Sequence, residues 1–154
     1  MTTAIELAFQ QGTPCILNPA PATTIADDLL AKLFCITPNE TEARLLTGIS
    51  VIDVHSAERA ADVLLQRGVK NVVITMGDNG ALLRNAELTH HHKAESVTPV
   101  DTTAAGDTFN GVLAAAVGEG LSLQEAVQLA VAAATLSVQT AGAIASIPRR
   151  EDYE

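Results

Sequence analysis

Asn71-Val72-Val73-Ile74-Thr75-Met76 is a continuous, β-branched run, followed at once by the turn residues Gly77-Asp78-Asn79-Gly80. A strand with one wet face alternates polar and apolar side chains. A strand without alternation is covered on both faces, as the central strands of parallel sheets are. Upstream, Ala57, Ala60, Ala61, Val63, Leu64 and Leu65 share one helical face that stops at Gly68, with Ser56 as the expected N-cap. Two further buried strands are expected at Thr13–Asn18, stopped by Pro19-Ala20-Pro21, and at Phe34–Thr37, closed by Pro38. Helices are expected at Ile5–Phe9, Ile25–Leu33 and Asn39–Thr47, the last ending at Gly48. The order α-β-α-β-α-α-β predicts an α/β fold with a mostly parallel sheet covered by helices on both faces.

Downstream of the deciding strand, Ala81–Leu83 and Leu88–His92 read as a hairpin. Two long helices close the chain, one from Thr108 to about Val117 and one from Leu123 to about Thr140. The second carries the capping-box pattern Ser122-Leu123-Gln124-Glu125. Both are apolar nearly all round, which predicts burial. No internal repeat or low-complexity linker interrupts the chain, so residues 1–154 are expected to form a single domain.

The 154 residues carry 9 Lys and Arg against 18 Asp and Glu, a formal net charge of −9 without any basic cluster. That balance argues against nucleic acid or an anionic membrane as partner, and leaves an anionic substrate to be held by metal ions and backbone dipoles. No apolar run approaches membrane-spanning length, and the start Met1-Thr2-Thr3-Ala4-Ile5-Glu6 is unlike a signal peptide. Cys15 and Cys35 lie in apolar, strand-like runs without metal-ligand spacing, so reduced core thiols and a cytoplasmic location are expected. His90-His91-His92 alternate faces if they lie on a strand and lack a supporting Cys or carboxylate at ligand spacing. A solvated hairpin edge is expected there rather than a metal site.

The chemistry concentrates in Asp101-Thr102-Thr103-Ala104-Ala105-Gly106-Asp107-Thr108-Phe109-Asn110-Gly111. Small residues leading into an apolar helix leave the amides of Ala104, Ala105, Gly106 and Asp107 unpaired at a helix N-terminus, where they form an anion site. Asp107 on its rim repels an anion unless it has chemistry to do.

This motif resembles the C-terminal signature of the ribokinase family of ATP-dependent sugar kinases. Leu17–Pro21, Thr37–Glu42, Thr75–Gly80 and Gly142–Pro148 are similar to the same family, in the family's order. The resemblance implies a ribokinase-like fold from which the N-terminal half and the β lid are missing, so that this chain alone is expected to lack most of the sugar site. It implies phosphorylation of a sugar hydroxyl by ATP, a pentose and most of all ribose, giving ribose 5-phosphate. Asp107 is then the general base and the amides of Ala104, Ala105 and Gly106 the phosphoryl cradle. Asn39 and Glu42 match the family's NxxE pair, which places Mg²⁺ and the phosphates through water; the residues alone also read as a helix start with a capping box. Thr75, Gly77 and Gly80 fall where the family's strand-end turn meets ATP. Asp101, the Thr103 carbonyl, the carbonyls of Ser137, Thr140 and Gly142, and the Ser146 hydroxyl match a monovalent-cation (K⁺) site. A C-cap glycine and a turn serine are the plainer reading of Gly142 and Ser146. Full-length relatives are expected to pair as homodimers through the lid. A nucleotide-binding module without catalysis, a kinase of another sugar or nucleoside, and a fragment that folds poorly alone are the competing readings.

Overall fold

The computed structural model describes residues 1–153. The chain forms two compact units, one of Met1–Met76 with Leu82–His91, the other of Gly77–Ala81 with the chain from His92 onward. The first unit contains α1 (Thr2–Gln10), β1 (Ile16–Leu17), α2 (Asp27–Leu30), β2 (Cys35–Ile36), α3 (Glu40–Thr47), α4 (Val54–Gln66) and β3 (Asn71–Thr75). It also holds most of β4 (Ala81–Asn85) and β5 (Thr89–His92).

The five strands form one sheet in the order β1-β2-β3-β4-β5. β1, β2 and β3 are parallel, with Ile16 opposite Cys35 and Cys35 opposite Asn71. Val72, Val73 and Ile74 of β3 are all fully buried, as the absence of alternation requires. Leu30, Leu33, Ile36, Ala60, Leu64 and Leu82 form one core cluster with Val72 and Ile74. Each buried Leu, Ile or Val contributes about 1.5–3 kcal/mol of transfer free energy. At the opposite end of the strands from Thr75, Asn71 Nδ2 donates to the Phe34 carbonyl at 2.8 Å and Asn85 Nδ2 donates to Asn71 Oδ1 at 3.0 Å. The expected hairpin forms: Asn85 N donates to Leu88 O at 2.9 Å, and Asn85 Oδ1 accepts from the amides of Glu87 and Leu88.

The strands expected at Thr13–Asn18 and Phe34–Thr37 are regular only over Ile16–Leu17 and Cys35–Ile36, and two helices of this unit also differ from expectation. The helix assigned to Ile25–Leu33 is regular only over Asp27–Leu30, yet Ile25 and Leu33 stay buried. α4 starts at Val54, and its N-cap is Asp53 rather than Ser56. The Asp53 carboxylate accepts from Ser56 N at 2.7 Å, while Ser56 Oγ accepts from Asp53 N at 3.0 Å. Both residue types cap helices, and the upstream one wins because the serine then serves as its reciprocal partner.

The second unit is built on α5 (Ala105–Gly118) packed against α6 (Leu123–Ser137). Ser122 caps α6 with the expected reciprocal bonds to Glu125. The expectation that both helices are buried is overturned for α5. α5 buries only the stripe Thr108, Phe109, Leu113 and Ala116, and Gly111, Ala114, Ala115 and Gly118 are exposed. Alanine and glycine carry too little apolar area to force a whole helix inside, so the large side chains decide which stripe is covered.

Both cysteines are free thiols, and burial pushes the Cys35 thiol up to about 12. Among the described residues no helix is long and apolar enough to cross a membrane, and no three His, Cys, Asp or Glu side chains group as a metal site.

Candidate active site

In the first unit, β2 and β3 end side by side. Asn39 and Thr75 form an isolated parallel bridge, and Thr75 N donates to the Pro38 carbonyl at 3.0 Å. The carboxyl ends of adjacent parallel strands are where open α/β sheets bind ligands. Asn39 caps α3: its Oδ1 accepts from Glu42 N at 2.9 Å, and Glu42 Oε2 accepts from Asn39 N at 2.9 Å. The capping box is therefore formed, and it brings two oxygen-bearing side chains to the mouth of the sheet. Each box oxygen retains a lone pair and Glu42 Oε1 stands outside the box, a donor set that fits a hydrated Mg²⁺.

In the second unit, the turn after β3 shows two different glycines. Gly77 has φ +54° with nothing within 4 Å of a Cβ built there, so the space over it is open. Gly80 has φ +82°, and a Cβ would collide with the His92 carbonyl and lie 2.6 Å from Ala94 N. The chain's own backbone therefore requires glycine at position 80.

The loop before α5 turns on Ala104, whose φ of +62° is left-handed. The helix begins at Ala105, so Asp107 sits inside its first turn rather than ahead of a helix starting at Thr108. One amide of the expected anion site is already used, since Ala105 N donates to Thr102 O at 3.3 Å. Among the described residues the N–H groups of Ala104, Gly106 and Asp107 meet no acceptor. Gly106 is exposed, and nothing lies within 4 Å of its missing Cβ. Internal packing gives no reason for glycine at this helical position, where alanine is favoured by about 1 kcal/mol. The Asp107 side chain is exposed beside this open face.

Sequence reasoning missed three features of this helix: the left-handed Ala104, the bond from Asn110 Nδ2 to Gly106 O at 2.8 Å, and the buried Thr108 hydroxyl, which has no hydrogen-bond partner among the described residues. The four-residue spacing of Gly106 and Asn110 was the one available signal.

The expected cation residues of the second unit lie on two segments tied together. Val138 O accepts from Val100 N at 2.7 Å and from Asp101 N at 3.1 Å. Asp101 Oδ1 accepts from Thr103 N and Oδ2 from Gly142 N, each at 2.9 Å. Hydrogen bonds from the Thr103 side chain, then from the backbone of Gly142 and Thr103, hold the Asp101 carboxyl down at about 2. Ser137 O accepts from Thr140 N at 3.3 Å, and buried Ser146 donates its hydroxyl to Ala143 O at 3.0 Å, leaving its oxygen lone pairs to accept. An all-oxygen set of this kind fits a hard monovalent cation. Beside it a groove of about 690 Å³ is lined by Leu136, Gln139, Thr140, Ser146, Ile147 and Arg149 among others.

Comparison with known proteins gives a consistent picture. Residues 1–150 match the model of the pfkB family of carbohydrate kinases. Ribokinase of Haemophilus influenzae is 44% identical over 149 residues, covering 97% of this chain and 49% of that protein. Among solved structures, ribokinase of Thermotoga maritima matches with a TM-score of 0.86 and 41% identity, over 98% of this chain and 51% of that one. Arabidopsis thaliana ribokinase, complexed with ribose and ATP, matches with a TM-score of 0.90 and 35% identity, over 97% of this chain and 49% of that one. The chain thus spans about half the length of the relatives it matches.

Proposed function

Because the chain belongs to the pfkB family of carbohydrate kinases, we propose that it supplies the nucleotide-binding and phosphoryl-transfer part of an ATP-dependent sugar kinase. Ribose is the expected acceptor, through its 5-hydroxyl. The observation that carries this reading is the open face of Gly106, where two unpaired amides and an exposed carboxylate meet on one helical turn. Such a face accepts an anion by its N–H groups and a proton by its carboxylate.

Asp107 takes the proton of the attacking hydroxyl as the new bond to the γ-phosphorus forms and the bond to the leaving ADP oxygen breaks. The amides of Gly106 and Asp107, with that of Ala104, stabilise the charge on the transferring group. Ala105 contributes through its place in the turn rather than through a free amide. Asn39 and Glu42 would hold Mg²⁺ through water, and bound Mg²⁺ neutralises phosphate charge. Thr75, Gly77 and Gly80 bring the strand-end turn against the nucleotide. Asp101, Thr103, Ser137, Thr140, Gly142 and Ser146 would hold K⁺, which orders the anion loop. Likeness to a ribokinase complexed with ribose and ATP supports both substrates, and the free thiols suit the reducing cytosol.

The test has two arms. Calorimetric titration with Mg-ATP measures the nucleotide site of this chain directly, and absence of binding sinks the proposal. Ribose-dependent ADP release is then assayed after mixing with a polypeptide equivalent to the part of a ribokinase relative that this chain does not span. A rate that Asp107→Asn leaves within a few-fold removes Asp107 as the base.

A further inference from the structure

The Asp101 side chain bonds to both segments that carry the cation residues of the second unit. Its Oδ1 takes the amide of Thr103, two residues on, and its Oδ2 takes the amide of Gly142, 41 positions away. Its own amide shares the Val138 carbonyl with that of Val100. Both oxygens thus face N–H donors that belong to fixed backbone. A carboxylate has an acceptor oxygen on each side and so meets both donors at once. The residues between Asp101 and the helix are few, and they include the strained Ala104. A left-handed alanine persists only where its surroundings over-determine it.

We propose that Asp101 is a positioning residue, a two-sided hydrogen-bond staple that ties the segment 138–142 to the loop before α5. It thereby holds the free amides of Gly106 and Asp107 in place for the phosphoryl group. The second clause rests on the kinase reading given above; the first does not. The staple also differs from a cation-ligand role for Asp101, because it acts whether or not K⁺ is bound.

Asp101→Asn separates the two roles. Asparagine has nearly the same volume and still offers an oxygen to a cation, but its NH₂ must face either Gly142 N–H or Thr103 N–H, donor against donor. Amide hydrogen exchange is followed residue by residue on the whole chain, with and without saturating K⁺, and Mg-ATP affinity is measured on the same samples. The staple predicts exchange faster by about tenfold or more at whichever of Gly142 and Thr103 faces the new NH₂, the loss of one charge-assisted bond. It also predicts unchanged protection at Ala130 and Val131 inside α6, and ATP affinity weakened about tenfold at either K⁺ level.

Exchange at both Gly142 and Thr103 equal to that of the unaltered chain overturns the staple. So does restoration of both protection and affinity by K⁺, which is the signature of a ligand. Loss of protection throughout α6 overturns it as well, since Asp101 would then support the whole unit rather than one loop. If the unaltered chain fails to bind Mg-ATP while Asp101→Asn still frees Gly142 or Thr103, the kinase reading fails and the staple stands.

Discussion

Asn39 and Thr75 pair across an isolated parallel bridge where β2 and β3 end, with Thr75 N bonded to the Pro38 carbonyl at 3.0 Å. The bridge places the start of α3 at the mouth of the parallel strands, so the capping box and the proposed Mg²⁺ positions are the same two side chains.

Glutamine separates those roles. Glu42→Gln keeps an oxygen to accept from Asn39 N, since Glu and Gln serve equally in capping boxes, but it removes the charge that attracts a cation. Unfolding free energy should stay within about 0.5 kcal/mol of the starting chain, whereas Asn39→Ala should lose about 1 kcal/mol with the cap. Urea titration measures both. Calorimetry should find that Glu42→Gln needs several-fold more Mg²⁺ to bind ATP; an unchanged Mg²⁺ requirement makes Glu42 a cap alone.

Gly106→Ala is expected to move stability and binding in opposite directions. Among the described residues nothing beyond the adjoining backbone lies within 4 Å of the added methyl, and alanine is the better helix former by up to about 1 kcal/mol. The thermal midpoint should therefore rise, while the methyl group obstructs the face on which an anion must sit and Mg-ATP affinity falls about tenfold or more. A variant that is both more stable and equally good at binding ATP places the phosphate elsewhere.

Gly80→Ala tests the opposite kind of glycine. Its φ of +82° and the approach of Ala94 N to 2.6 Å leave no room for a Cβ, so the loss should exceed about 2 kcal/mol. Chemical denaturation should show it with or without nucleotide. Retention of stability means that the backbone at His92–Ala94 yields.

The parallel sheet was legible because Val72, Val73 and Ile74 break alternation, and the caps of α3 and α6 because each is a four-residue pattern. What escaped was either local competition or long range. Asp53 and Ser56 are both good caps, and only the fold decides between them. Ala104 carries no sign of its left-handed backbone, so α5 was read as starting three residues late. Asp101 and Gly142 were brought to one site only by the family resemblance, and the bond between them escaped because no spacing rule reaches across that separation. The burial of α5 was overread because alanine-rich sequence looks apolar on every face.

Ala104→Gly is expected to stabilise the second unit by up to about 1 kcal/mol. Glycine adopts φ near +60° without the clash that alanine suffers there, and its greater unfolded-state entropy offsets part of that relief. The thermal midpoint should rise by a few degrees or hold. A marked fall means the alanine methyl makes contacts that outweigh the backbone strain.

Asp53 sets a pH dependence whose sign follows from its hydrogen bonds. Bonds from the Ser56 side chain and then the Ser56 backbone lower its pKa below the usual 3.8. A depressed folded-state pKa means that the ionised cap favours the folded helix. That contribution is complete above about pH 4, where the unfolded carboxyl is also ionised, and is lost as pH falls through the lower folded value. Asp53→Asn caps as well as aspartate but does not titrate there. Urea midpoints measured from pH 6 downward should therefore agree at the neutral end and diverge in acid, with the shallower decline for Asp53→Asn. Parallel declines in the two proteins assign the acid sensitivity to the other carboxyls whose pKa values are lowered, Asp101 by Thr103 and Gly142, Glu119 by Arg150 and Glu125 by Ser122.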